Sequence, residues 1–346
     1  MFRRSRRPVF VLSIDGGGIR GLLPALVLRE LASRIARIRG DRGAVRFDRI
    51  FDLISGTSTG GLIALGLCKP RCTETGCTDH PDLTVEQMVE MYATYGATIF
   101  PRSRFASVRA VMQAFSEKYD SEGIETVLAD TFGDVTVQDA LTNLLITSYD
   151  TERRHPVFFK KKPHASSPDN LNFFMRDVGR ATAAAPTFFE PAYIGPVPDD
   201  GRRFCLVDGG VFANNPAVCA YIEARRIFPR TRRVVMVSLG TGSSTLRFTY
   251  AEMRNWGYID WVSPSKGVPL SSMMMDGQSE AVSYQLRNHP RVDYHRFNGS
   301  LAGFSEEMDD AGEKNIRDLR ILADTVIRTN DAELERTAKI LARRPS

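Results

Sequence analysis

No run of apolar residues in this chain approaches the roughly 18 needed to cross a bilayer as a helix. The nearest candidate, Pro8 to Ile14, follows Arg3, Arg4, Arg6 and Arg7 and imitates a signal peptide. It is too short, ends at Asp15, and lacks a small-residue cleavage site. It reads instead as a first strand, and the expected location is cytoplasmic, with action at a membrane surface. No low-complexity linker or internal repeat interrupts the 346 residues. The expected organisation is therefore a catalytic unit over 8–245, with a mostly helical C-terminal extension over 246–346 packed on it.

Cysteine and histidine are both scarce. Five cysteines is an odd number, so a complete disulfide framework is not implied. Cys68, Cys72 and Cys77 lie close together and are followed by His80. That spacing could hold zinc, but it matches no common finger; a redox pair is a further alternative, and ordinary loop cysteines without a metal are the expectation. The histidines are His80, His155, His164, His289 and His295, and none has a glycine-flanked strand-end setting.

What is present is ordinary for a globular enzyme: 42% hydrophobic and 25% charged residues, with a formal net charge of +5. The positive charge is clustered, as in Lys160 to Lys162, Arg225 and Arg226, Arg230 to Arg233, and Arg343 and Arg344. Such clusters suit anionic headgroups or a solvated surface; a nucleic-acid partner is not expected. Short apolar runs at 9–14, 50–55, 142–149, 203–207 and 233–239 read as strands. Helical spacing follows the first two, with Pro24 in the first turn of one helix and Gly40 at its end. Further helical patterns cover 84–97, 121–130 and 310–342. Alternating strands and helices predict an α/β fold: a three-layer α/β/α sandwich around a mainly parallel sheet.

Three motifs carry chemistry. Gly56-Thr57-Ser58-Thr59-Gly60 stands between an apolar strand and an apolar helix, the setting of a nucleophile elbow. The rival use is a glycine turn with a capping serine. Gly16-Gly17-Gly18-Ile19-Arg20-Gly21 follows the first strand. Its Gly16, Gly18 and Gly21 also satisfy a dinucleotide fingerprint, which needs an acidic residue about 20 positions on. Asp41 has roughly that distance but sits in a loop-like stretch. The other use is an oxyanion hole, with Gly17 and Gly18 as donors and Arg20 bracing the loop or meeting an anionic headgroup. Asp208-Gly209-Gly210 places a carboxylate where an apolar strand meets a glycine turn. A second strand end at the same sheet edge could bring Asp208 to Ser58 as its base; a histidine base and a merely capping Asp208 stay open.

Together these three blocks resemble the patatin-like phospholipases. Arg180 to Thr187, Val237 to Gly242 and Met275 to Gln278 look similar to the same family. The resemblance, taken as one to a bacterial member, implies a fold related to the catalytic domain of cytosolic phospholipase A2. It implies calcium-independent hydrolysis of fatty acyl esters by a Ser58–Asp208 dyad, with no cofactor. A membrane phospholipid as substrate, peripheral membrane contact and, in some bacterial relatives, an antiphage role switched on by a cyclic nucleotide follow from it too. Phe100, Phe105 and Phe115 with Arg102, Arg104 and Arg109 suggest a lid or docking segment at 98–120, or equally a core helix. Rival functions are a thioesterase or acyltransferase with the same dyad, a nucleotide-binding protein, and a catalytically silent lipid-binding module.

Overall fold

The computed structural model describes residues 7–41, 43–73, 76–99, 119–161, 171–263 and 266–344. The 98–120 segment falls almost wholly outside them.

Strand β1 (Val9–Ile14) is buried along its whole length, as a continuous apolar run suggests. Phe10, Leu12 and Ile14 face one hydrophobic cluster, and Val9 and Val11 face another on the opposite side. Helix α1 (Leu22–Arg39) covers the first face. It ends where Gly40 turns left-handed at φ 67° and donates back to the last carbonyls. Strand β2 (Leu53–Gly56) is shorter than expected, because Phe47–Ile50 forms a helical turn. Ile50 is fully buried there, so its apolar character served a helix and not a strand. Helix α2 (Thr59–Cys68) follows the elbow.

Next comes a two-stranded antiparallel hairpin, β3 (Pro70–Thr73) and β4 (Gly76–Pro81), closed by a Cys72–Cys77 disulfide. This corrects the expectation of ordinary loop cysteines. Two of the three candidate zinc ligands bond each other, and Cys68 is buried at the end of α2. The pairing was hidden because loop cysteines do not declare a hairpin. No described helix is long and apolar enough to cross a membrane.

Helices α3 (Val85–Ile99) and α4 (Glu122–Phe132) pack beside α2. The remaining strands are β5 (Asn143–Asp150), β6 (His155–Lys160), β7 (Ala192–Ile194), β8 (Phe204–Asp208), β9 (Val234–Leu239) and β10 (Val292–Phe297). Between them run α5 (Met175–Thr182), α6 (Ala217–Ile227) and α7 (Pro269–Arg287), and the chain ends in α8 (Glu313–Thr329) and α9 (Asp331–Leu341). The sheet order is β10-β9-β1-β2-β5-β8-β7, with β6 also on β5. From β10 to β5 every pairing is parallel. Helices α6 and α7 lie over the second face, which completes an α/β/α sandwich. The C-terminal third thus contributes a strand, β10, as well as helices.

The register of β5 positions the site. β2 pairs with its first half, Gly56 opposite Ile146, and β6 pairs antiparallel with Leu145 to Asp150. β8 pairs antiparallel with Ser148 to Asp150, Asp208 opposite Ser148. A strand has two edges, so β2 and β8 share one edge of β5 and run toward each other. Their C-terminal ends meet across the single residue Thr147. The strand that bears Asp208 thus arrives head-on, antiparallel to β5.

Candidate active site

Ser58 sits where β2 turns into α2, at φ 53° and ψ −127°. For a residue with a side chain this is a strained conformation, and it persists only where surroundings hold it. Gly60 allows the tight return: a Cβ there would collide with the Ile14 carbonyl. The Ser58 N–H donates to the Thr182 hydroxyl (2.9 Å), which donates in turn to the Thr147 carbonyl (2.7 Å). Thr57 shares a 2.7 Å hydrogen bond with the Thr147 hydroxyl. Thr147 therefore ties the elbow to the gap between the two converging strands. The sequence carried one hint of this brace, the Arg180–Thr187 stretch that contains Thr182.

The Ser58 hydroxyl lies close enough to the Asp208 carboxylate to favour its ionised form. Asp208 is 5% exposed. Burial pushes its pKa up to about 6, while the Ser58 hydroxyl and the Gly210 N–H (2.7 Å from Oδ1) pull the other way. A carboxylate with that pKa is a far better base near neutrality than an exposed aspartate.

The first glycine loop lies against the same centre. The Gly16 N–H donates to the Asn214 carbonyl (3.0 Å) and the Ile19 N–H to the Met308 carbonyl (2.8 Å). Between these engaged amides, the N–H groups of Gly17 and Gly18 meet no protein acceptor among the described residues. Gly18 has φ 58°, and a Cβ there would strike the Met308 carbonyl, so only glycine fits. Arg20 is buried and its Nε reaches back to the Gly17 carbonyl at 3.4 Å. Burial lowers its pKa to about 10, opposed by Glu306 and Asp276.

Asp15, just before this loop, is held by Arg296 of β10 through two contacts of 2.9 and 2.5 Å. Arg296 also donates to Ser238 (2.9 Å) and Ser279 (3.2 Å). Burial pulls the Arg296 pKa down, but Asp15 carries it above the usual arginine value. Removing one partner of such a pair strands the other charge. Arg296→Met is expected to lose about 3–5 kcal/mol of stability, read by urea denaturation, with part recovered in the double variant Asp15→Asn/Arg296→Met. An unchanged midpoint in the single variant would show the pair to be energetically idle.

Ser58, Asp208, Gly17, Gly18 and Arg20 all line one cavity of about 1210 Å³. Its apolar lining includes Leu62, Met88, Tyr92, Leu128, Phe132 and Phe189. Among the described residues no histidine lines it. His80 and His155 are exposed, His289 meets Tyr221, and His295 is buried against Glu333; His164 lies outside the described residues. The histidine-base reading has no side chain to supply it among those described. The dinucleotide reading fails too. Asp41 is exposed and caps Gly43, at the opposite end of α1 from the glycine loop, about 27 Å of helix away.

The sequence profile described as Patatin-like phospholipase matches residues 12–221. The chain belongs to the patatin-like phospholipase family. Patatin group D-2 of Solanum tuberosum is 31% identical, over 97% of this chain and 90% of its own. Patatin-like protein 2 of Oryza sativa subsp. indica is 28% identical, over 94% and 85%. Human GIVD cytosolic phospholipase A2 superposes with a TM-score of 0.44 at 10% identity, over 99% of this chain and 64% of that one. A likeness of that degree adds nothing to the assignment. As a patatin-like phospholipase the chain is a serine acyl hydrolase acting on lipid. The matched segment contains the glycine loop, the elbow and Asp208.

Proposed function

We propose that this patatin-like protein is a phospholipase A-type hydrolase that cleaves fatty acyl esters of membrane phospholipids, with Ser58 as nucleophile and Asp208 as base. The observation that carries the reading is the approach of Ser58 to the buried Asp208 carboxylate on the lining of one largely apolar cavity, beside two unengaged glycine amides. Ser58 Oγ attacks the ester carbonyl carbon while its proton passes to Asp208. The carbonyl oxygen becomes an oxyanion, met by the N–H groups of Gly17 and Gly18. The N-terminus of α2, behind Ser58, favours the same charge. The proton on Asp208 goes to the departing alcohol oxygen as the C–O bond breaks. Water, deprotonated by Asp208, then releases the fatty acid and restores Ser58.

The apolar wall fits a fatty acyl chain, and Arg20 at the cavity wall offers a cation to a phosphate-bearing headgroup. The test is mass spectrometry of a mixed phospholipid pool incubated with purified protein. Equimolar free fatty acid and lysolipid are expected. Transfer of the acyl group to an added alcohol in preference to water would make the protein an acyltransferase instead. The relatives and the site lend no support to a bacterial antiphage role or a cyclic-nucleotide activator, and neither is part of the proposal.

A further inference from the structure

The exposed apolar surface of this protein is unevenly distributed. Leu246, Tyr250, Tyr258, Ile259, Leu270 and Met274, between 45% and 83% exposed, all fall within residues 246–274. Leu246 precedes, and the others stand on, two short helices, Tyr250–Met253 and Tyr258–Val262, and the first turns of α7. The segment is ordered from beneath. Phe248, Trp256 and Trp261 stack edge to face at 5.0 and 5.5 Å, and Lys266 lies 4.7 Å from the Trp256 ring. These side chains therefore point outward from a built platform.

Two features say what covers it. First, the surface is continuous with the catalytic cavity: Leu246, Trp256 and Met274 line the same space as Ser58 and Asp208. An acyl chain could pass from a bilayer to the serine along apolar side chains, without crossing water. Second, the segment's charge is net positive, with Arg247, Arg254 and Lys266 against Glu252 and Asp260. Glu252 is engaged by Thr249, and Asp260 by Gly257 and Lys266. Arg247 and Arg254 are exposed on the same segment, and among the described residues neither has an ion-pair partner. Tyrosine and isoleucine flanked by arginine is the composition of a surface that sits in the headgroup layer.

We propose that residues 246–274 seat the protein on a phospholipid bilayer, with Tyr258 and Ile259 entering the interface and the cavity mouth facing the lipid. This rests on the lipid-hydrolase reading above and adds the surface through which substrate arrives.

The chain has two tryptophans, Trp256 and Trp261, and both lie in this segment. Intrinsic fluorescence therefore reports on it alone. With vesicles of phosphatidylcholine and a minor fraction of phosphatidylglycerol, carrying brominated acyl chains, the tryptophan emission is expected to be quenched. Tyr258→Asp/Ile259→Asp alters two outward side chains and is expected to weaken vesicle binding about tenfold or more. Its hydrolysis of vesicle lipid should fall in parallel, while hydrolysis of water-soluble p-nitrophenyl butyrate stays at the wild-type level. Quenching needs no turnover, so the same measurement is made on Ser58→Ala. Docking is then judged even where ester hydrolysis fails, and that failure would fall on the dyad instead. Unquenched tryptophans in vesicle-bound protein, or a double variant that binds vesicles as tightly as wild type, would overturn the proposal.

Discussion

Ser58→Ala is expected to lower fatty-acid release by about 10⁴-fold or more while leaving the fold intact. No neighbouring hydroxyl can replace it. Thr57 is fully buried and bonded to Thr147 and the Ala213 carbonyl. Thr59 is paired with Tyr92 at 2.5 Å. The backbone hydrogen bond from residue 58 to Thr182 does not use the side chain, so the elbow survives the substitution. Released fatty acid, measured by mass spectrometry, is the readout, together with loss of fluorophosphonate labelling. Near-normal turnover in this variant would remove the nucleophile from the scheme and the scheme with it.

Asp208→Asn is expected to be inactive and yet more stable than the wild type at neutral and alkaline pH. The folded pKa of Asp208 is raised from about 3.8 to about 6, chiefly by burial. The folded protein therefore holds this proton more tightly than the unfolded chain does. Its stabilising contribution is fully present below pH ~4 and is lost as pH rises to about 6, after which the penalty is constant. A shift of that size corresponds to about 3 kcal/mol. Asparagine carries no charge to desolvate and can still accept from Gly210. The variant should thus gain up to about 3 kcal/mol at pH 8, with the difference vanishing toward pH 4, in urea denaturation at several pH values. A difference independent of pH would show that Asp208 is not a strained, desolvated carboxylate. The same ionisation governs catalysis with the opposite sign. Asp208 accepts the serine proton only when ionised, so kcat/KM of the wild type should rise through pH 6 and level above it. The carboxylate is thus least favourable to the fold in the state that catalysis needs.

The parts of the site that a sequence could reveal are those set by a few consecutive residues. The elbow is a local object: an apolar strand, a glycine either side of Ser58, and an apolar helix. The glycine loop is equally local, since Gly18 must take a positive φ and pass a carbonyl that leaves no room for a Cβ. The C-cap at Gly40 was legible for the same reason. Arg296 was not. Its strand, Val292 to Phe297, mixes charged and apolar residues and reads as surface, because its polar side chains find partners far away in the chain, as Arg296 does in Asp15. The Cys72–Cys77 pairing escaped likewise, since it depends on a hairpin that only chain geometry defines.

The sequence by itself determined which groups are present and the local turns that bear them: Ser58 on its elbow, Asp208 at a strand end, and two glycine amides able to face one oxygen. Only the tertiary structure decided that β2 and β8 run head-on along one edge of β5, so that alcohol and carboxylate meet across Thr147. It also decided that Asp208 is buried there, which raises its pKa to about 6. Strand direction and desolvation belong to the packing of distant segments, and no window of consecutive residues contains them.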